Sequence, residues 1–470
     1  MISRTLELSP TGDGTRSVTI GGMDSPTRWR DLFQHGRGKL TTGILLVEFL
    51  VAVEALVVIA IMPAARRDLG GVEFYGLVFA GFSLAGLVLS PIAGRAADRG
   101  GPAQPFLLFG SLFIVGTALC GLAPSMPLLT IARLLQGAGA GGAYTVALAA
   151  VTRIYPESGR ARVLALLAGA WIVPGLLGPS YGALIASTLG WRWAFLSIIP
   201  LTVVAIALTL PALRALPPVE QPATLSIRWP LQLAGGVTGL ISGLSLLSWI
   251  SLPLIAVGVV LTWFALGHIL PVGSLQARPG APAAVMITFL LLLGFIAADY
   301  FIPLMLTGVR GRSLAEAGVV ITLGTVSWSI GNWWQSRAIV KTSSVTLMRL
   351  GGAILTVAII GIMATLLGAP LAISYVAWFA AGFGMGLAYP TAYLVILRGG
   401  DAGGAGSAVS SQQVAERLAL AVGGGLGGAC VALASGMHAS LATGLAGAFA
   451  LALLSGAASF ALAPRLTESG

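Results

Sequence analysis

Two carboxylates, Glu48 and Glu54, stand inside an apolar run, Leu45 to Gly70, that is long enough to cross a bilayer. A charge at bilayer depth costs at least ~2.5 kcal/mol on insertion scales, so such a side chain belongs on an internal face, paired or protonated. The same test picks out Asp299 in a second apolar run and Arg133 with Gln136 in a third. A fourth run carries the polar cluster Ser410-Ser411-Gln412-Gln413 followed by Glu416-Arg417. Desolvation favours the neutral form of a carboxylic acid. A buried acid reached in turn from the two sides of a membrane can take up a proton on one side and release it on the other. Helical spacing limits which groups can cooperate. Glu48 and Glu54 are six residues apart, which rotates them ~120° on a helix of 3.6 residues per turn. Arg133 with Gln136, and Gln412 with Glu416, share a face, whereas Glu416 and Arg417 do not.

The elements that must hold these groups follow from composition. Of 470 residues, 56% are hydrophobic and only 9% charged, far below the ~25% charged of a soluble domain. The chain reads as an all-α polytopic membrane protein. Its net charge of +10 is spread singly over short segments, which excludes a basic nucleic-acid-binding domain. Cys120 and Cys430 lie in apolar segments and form neither a disulfide framework nor a metal cluster. Nothing in the first 38 residues suggests cleavage, and Ser25, Pro26, Trp29, Leu32 and Phe33 suit a short interfacial helix.

At ~20 apolar residues per crossing, six helices fall near 41–62, 74–95, 104–123, 127–152, 162–188 and 192–211. A hairpin of two shorter runs follows near 231–249 and 253–270. Six more lie near 282–306, 314–336, 344–367, 371–396, 404–433 and 440–462. The count is fourteen. Placing both termini in the cytoplasm puts most Lys and Arg, including Arg95, Arg99, Arg153, Arg214, Arg337 and Lys341, on that side. Arg66, Arg67, Arg192, Arg310 and Arg312 remain outside. The expected domains are a tail at 1–40, a six-helix bundle at 41–212, a linker with two additional helices at 213–280, a second six-helix bundle at 281–463 and a tail at 464–470. A shift of 242 residues lays the second helix over a counterpart with only its frame kept, and sets Glu54 about one helical turn from Asp299. Duplicated halves place a binding site at their interface.

On these residues the chain resembles the major facilitator superfamily and, within it, the 14-helix drug:proton antiporter family. Gly94-Arg-Ala-Ala-Asp98-Arg99-Gly100-Gly101 resembles the family's signature cytoplasmic loop, although the usual basic residues after the second glycine are missing. Arg133-Leu-Leu-Gln136-Gly137 is similar to the element associated there with proton transfer. Gly178-Pro179 in the fifth helix resembles the Gly-Pro motif of exporters, and Glu54, Pro63 and Asp68-Leu69-Gly70 follow the first-helix pattern. The resemblance implies two pseudo-symmetric six-helix bundles with a hairpin between them. It implies gating by Gly94, Asp98, Arg99, Gly178 and Pro179. It also implies proton coupling at Glu54, on the central cavity, with Asp299, Arg133 and the rival Glu48, which is expected against a neighbouring helix or toward the cytoplasmic opening. Gln136, Tyr300, Trp328, Gln412 and Glu416 are the expected cavity residues, with Trp333 and Trp334 as further wall candidates.

The function so implied is proton-coupled export of a small amphiphilic or cationic compound across a bacterial cytoplasmic membrane. The protein is expected to be monomeric, with the lipid bilayer and protons as partners and no cofactor, metal or nucleic acid. Export of a lipid, and a non-transporting sensor or scaffold, are the alternatives. His35, His268 and His438 are scattered and no Gly-x-x-x-x-Gly-Lys-Ser/Thr loop is present, so neither an enzyme nor an ATP-driven pump is expected.

Overall fold

A computed structural model describes residues 32–33, 37–219, 227–245, 249–399 and 405–466. The expected interfacial helix falls almost wholly outside them. Of its residues only Leu32 and Phe33 are described, and Leu32 is buried, with its carbonyl accepting from Thr41 Oγ1 at 2.6 Å.

The described chain is all-helical. The first four crossings are α1 (Arg37–Leu69), α2 (Tyr75–Gly100), α3 (Ala103–Leu122) and α4 (Met126–Ile154). Next come α5 in two pieces (Glu157–Gly169, Ile172–Thr188) and α6 in two pieces (Trp191–Leu196, Ile198–Arg214). The hairpin is α7 (Arg228–Ser245) and α8 (Ser251–Ile269). The second half comprises α9 in two pieces (Ala281–Asp299, Ile302–Gly308), α10 (Leu314–Ala338), α11 (Ser344–Leu366), α12 (Leu371–Arg398), α13 (Ala405–Gly436) and α14 (Leu441–Leu462). Fourteen crossings result, of which thirteen are long and apolar enough to span a bilayer on their own. The exception is α7, which opens on Arg228 and Trp229 and carries Gln232.

Three local features differ from the expectation. The predicted end of α1 near 62 is passed, because Pro63 sits inside a helix that runs on to Leu69 and carries Arg66 and Arg67 in its last turn. The Gly94–Gly101 stretch is helix rather than loop as far as Gly100, and the chain turns only at Gly101, where φ is +83°. Nothing in Arg95-Ala-Ala-Asp98 opposes a helix, so the turn waits for a residue without Cβ. In α5 the break falls at Ala170-Trp171, whereas Pro179 lies inside the second piece.

In lipid the side chains of a crossing gain little by leaving one apolar solvent for another, so helices associate through close packing of small residues. This is the use of the chain's 64 glycines. Within the second half, a Cβ on Gly351 would meet Ala388 Cβ at 2.7 Å, which locks α11 against α12. Within the first half, α4 packs on α2 and α3, and α1 on α5 and α6. The main contacts between the halves are α2 with α13 and α5 with α10, and α1 also touches α9 and α10. The hairpin lies across the first of these, with Leu233, Val237 and Ile241 packed among Leu84, Leu87, Leu418 and Ala421.

Candidate functional site

The inter-half contacts gather toward one membrane face, the face at which α2 and α10 begin. Gly76 of α2 rests against the backbone of Gly424 and Gly428 of α13. A Cβ on Gly318 would lie 3.1 Å from the Pro179 carbonyl oxygen, and Ser180 faces Thr322 at 3.4 Å. Tyr75 OH donates to the Tyr300 carbonyl at 3.2 Å, and Phe79 stacks on Tyr300 at 4.1 Å between centroids. This seam closes one end of the interface.

Glu54 and Arg133, marked separately in the sequence, form one ion pair. Helix α1 supplies the acid and α4 the base, and neither is accessible beyond 2%. Arg133 also donates from Nε to the Val78 carbonyl at 3.3 Å and from Nη1 to Gln136 Oε1 at 2.6 Å, and its guanidinium lies 4.2 Å from the centre of the Phe82 ring. Gln136 passes the chain on to Thr117 Oγ1 at 3.0 Å. The network satisfies an arginine that lipid would penalise. It leaves one atom over, since Glu54 Oε2 has no hydrogen-bond partner among the described residues. Glu54 therefore lies in the packed core of the first half rather than on an open cavity, and Gln136 is occupied by Arg133 and Thr117 rather than facing free space.

The second half holds its own buried acid. Asp299 is the last residue of the first piece of α9 and is 4% exposed. Trp378 of α12 donates its indole N–H to Asp299 Oδ1 at 3.0 Å. From Trp378 an aromatic row continues through Phe295 (4.7 Å between centroids) and Trp328 (5.2 Å) to Tyr389 (5.7 Å). The Tyr389 hydroxyl donates to Glu416, which also accepts from Gln412 Nε2 at 3.2 Å. Tyr300 belongs to the seam, at 6% exposure, rather than to a cavity wall. Trp333 and Trp334 are exposed, and Arg337 lies 3.7 Å over the Trp333 ring.

A third cluster spans the halves nearer the face at which α1 begins. Trp171, at the break in α5, donates to Glu48 Oε1 at 2.6 Å, while Glu48 Oε2 has no partner among the described residues. Across the interface, Arg417 of α13 reaches α2, where a Cβ on Gly86 would lie 2.7 Å from its NH1. Tyr144, Glu416 and Glu48 are its electrostatic neighbours.

The expected gating residues divide. Gly178 packs on α1, a Cβ there lying 3.2 Å from Leu56 Cβ, and the Pro179 carbonyl is at the seam. Gly94 has room for a Cβ, with Thr145 at 3.5 Å. Arg99 is exposed, and the Asp98 side chain makes no hydrogen bond or ion pair among the described residues. Only its backbone carbonyl is used, by the Val219 amide at 2.7 Å. Sequence reasoning missed Trp171, Trp378, Tyr389 and Tyr144. The usable signal was a tryptophan in mid-run, since a buried indole N–H needs an acceptor and the buried carboxylates are the scarce ones.

A family model described as Major Facilitator Superfamily matches residues 44–424. Among curated relatives, the efflux pump dotC of Dothistroma septosporum is 27% identical over 61% of this chain and 52% of its own length. The multidrug transporter protein MdtP of Bacillus subtilis is 27% identical over 63% of this chain and 57% of its own. A probable multidrug-efflux transporter of Mycobacterium tuberculosis is 25% identical over 91% and 94%. With dotC and MdtP, the match thus spans little more than half of the relative. Among solved structures, the POT family transporter PepTSo aligns over 91% of this chain and 97% of its own with a TM-score of 0.67 at 15% identity. The human organic anion transporter MFSD10 aligns over 92% and 100% with a TM-score of 0.60 at 16% identity, and at these identities the likeness speaks for the fold alone. The chain is a multi-pass membrane protein that belongs to the major facilitator superfamily.

Proposed function

We propose that the chain is a secondary active transporter, a proton-coupled antiporter that exports amphiphilic or cationic drug-like compounds from the cytoplasm by alternating access. The relatives named as efflux pumps and multidrug transporters support the substrate class. The observation that carries the coupling is the Glu54–Arg133 pair with Glu54 Oε2 left over. A proton arriving at Oε2 cancels the charge that holds Arg133, while Arg133 keeps its bonds to Val78 and Gln136. Protonation thus weakens the tie between α1 and α4 without stranding the arginine, and rocking of the two halves about the seam converts this into access from the other side. The excess of Lys and Arg at the face where α1 begins supports a cytoplasmic location for both termini.

The test is transport in proteoliposomes under an imposed pH gradient, with lipophilic cations and neutral lipids compared as substrates. Gradient-driven uptake of the cations is expected, with at least tenfold loss in Glu54→Gln. Full activity of Glu54→Gln refutes the coupling role, and acceleration of lipid movement alone refutes the substrate class.

A further inference from the structure

The Arg133 network continues into α3, where two side chains settle its polarity. Thr117 Oγ1 accepts from Gln136 Nε2 at 3.0 Å and donates its own proton to the Phe113 carbonyl at 2.6 Å. A threonine hydroxyl has a single proton. With that proton on Phe113, the hydroxyl can only accept from Gln136, so the NH2 end of the amide faces α3 and the oxygen faces Arg133. Cys120 agrees with this orientation, because its thiol donates to the same Gln136 Oε1 at 3.6 Å. Turned over, the amide would set its NH2 against the guanidinium, donor against donor. Thr117, Cys120 and Gln136 are fully buried, and the amide has no room to move aside. A Cβ on Gly116 would lie 2.5 Å from the Gln136 backbone nitrogen, and one on Gly139 would press on the Phe113 backbone. Helices α3 and α4 are thus in backbone contact at Gln136 and again one turn further on.

We propose that Thr117 is a positioning residue for the proton site: with Cys120 it holds the Gln136 oxygen on Arg133, and so controls how readily Glu54 takes up a proton. Once Glu54 is neutral, Arg133 keeps only uncharged acceptors, the Val78 carbonyl and Gln136 Oε1. Hydrogen bonds to a charged group are the stronger ones, so an amide released from α3 makes the neutral acid harder to reach. The titratable and charged groups that face Glu54 are Arg133 of α4, Cys120 of α3 and, from the other half, Tyr300. Of these only Arg133 is charged at neutral pH, and it is the group that Gln136 serves. The inference rests on the coupling role proposed for Glu54.

Infrared titration of the purified full-length protein in detergent tests it without any substrate. The C=O band of protonated Glu54 is identified by its loss in Glu54→Gln. Thr117→Val keeps the shape and removes the hydroxyl, and should move the midpoint of that band to lower pH by at least ~1 pH unit, the step expected for one hydrogen bond to a charged group. Thr117→Ser keeps the hydroxyl and should keep the midpoint, whereas a packing role for Thr117 predicts the reverse order. A midpoint unmoved in Thr117→Val, or moved as far in Thr117→Ser, overturns the inference and leaves proton uptake by Glu54 intact. The absence of a titrating Glu54 band overturns the coupling reading and this inference with it. Where Thr117→Val fails to fold, the S–H stretch of Cys120 in the otherwise unaltered protein, identified by its loss in Cys120→Ala, decides. It is expected at the lowered frequency of a hydrogen-bonded thiol, and the frequency of a free thiol would show the Gln136 oxygen turned away and overturn the proposal.

Discussion

The seam between the halves makes a quantitative demand at Gly76. A Cβ placed there would lie 2.5 Å from Gly428 Cα and 2.8 Å from its amide nitrogen, and would also press on the Gly424 carbonyl oxygen. Ordinary carbon contact begins near 3.4 Å, so the α2–α13 contact must part by close to an ångström to admit even alanine. The obstacle is backbone on both sides, with no flexible side chain to turn away. Overpacking of this kind costs about 1–3 kcal/mol. The cost falls only on the state closed at this seam, so Gly76→Ala should shift the balance toward the state opened there by about 5-fold if the cost is about 1 kcal/mol and about 30-fold if it is about 2 kcal/mol, and Gly76→Leu should shift it further. Ser187 of α5 and Ala315 of α10 line one crevice at this face and belong to opposite halves. Spin labels at Ser187→Cys and Ala315→Cys, with Cys120 and Cys430 replaced by serine, report the gap between them. The expected result is a longer distance gaining weight from glycine to alanine to leucine. Gly235→Ala, where an added Cβ meets nothing within 4 Å, serves as the control and should leave the distribution unchanged. A distribution that stays fixed in Gly76→Leu refutes the view that this contact is the closed gate.

Two further outcomes follow from the buried acids. Glu54→Leu strands Arg133 and should destabilise the protein by about 3–5 kcal/mol, whereas adding Arg133→Met should restore much of that loss, because an apolar pair carries no desolvation penalty; thermal unfolding of the purified variants checks it, and a double variant no more stable than the single one refutes the pairing. Asp299→Ala leaves the Trp378 indole N–H without its acceptor and should cost about 1–3 kcal/mol, while Asp299→Asn keeps an acceptor and should cost less; equal unfolding temperatures for the two substitutions would contradict the bond.

The fold was legible because its signal is physical and local. Apolar runs of bilayer length separated by short polar segments leave little choice of architecture, and the repeat of Glu54 near Asp299 divides the chain into halves. The helix ends were less legible, since Pro63 looks like a stop and lies inside a continuous helix, while the breaks fall at Ala170-Trp171, Ser197 and Tyr300-Phe301. The position of a break depends on what the freed backbone groups meet, which only packing decides. The site was legible in its charges and illegible in its partners. An arginine at membrane depth needs a carboxylate, yet nothing local distinguishes Glu54 from Glu48 as the mate of Arg133. The tryptophans that hold Glu48 and Asp299 lie 123 and 79 residues away from them, and no periodicity carries that information.

The residues that first stand out as costly therefore do different work according to whether they have a partner. Arg133 with Glu54, and Trp378 with Asp299, are contacts made inside one half, so they hold each bundle together whichever way the halves are tilted. Glu48 of α1 and Arg417 of α13 are electrostatic neighbours across the interface, and Glu48 Oε2 is left without a partner among the described residues. Their surroundings change when the halves move, because α1 and α13 belong to different bodies. A free-energy difference between access states can arise only from contacts that differ between those states. The unpaired groups at the interface meet that condition directly. The Glu54–Arg133 pair meets it only through its charge, which a proton at Glu54 Oε2 can remove. On the proposed coupling, the Glu54–Arg133 cluster registers the proton and the interface groups register the tilt of the halves, with the Tyr75–Tyr300 contact lying where α2 and α9 meet.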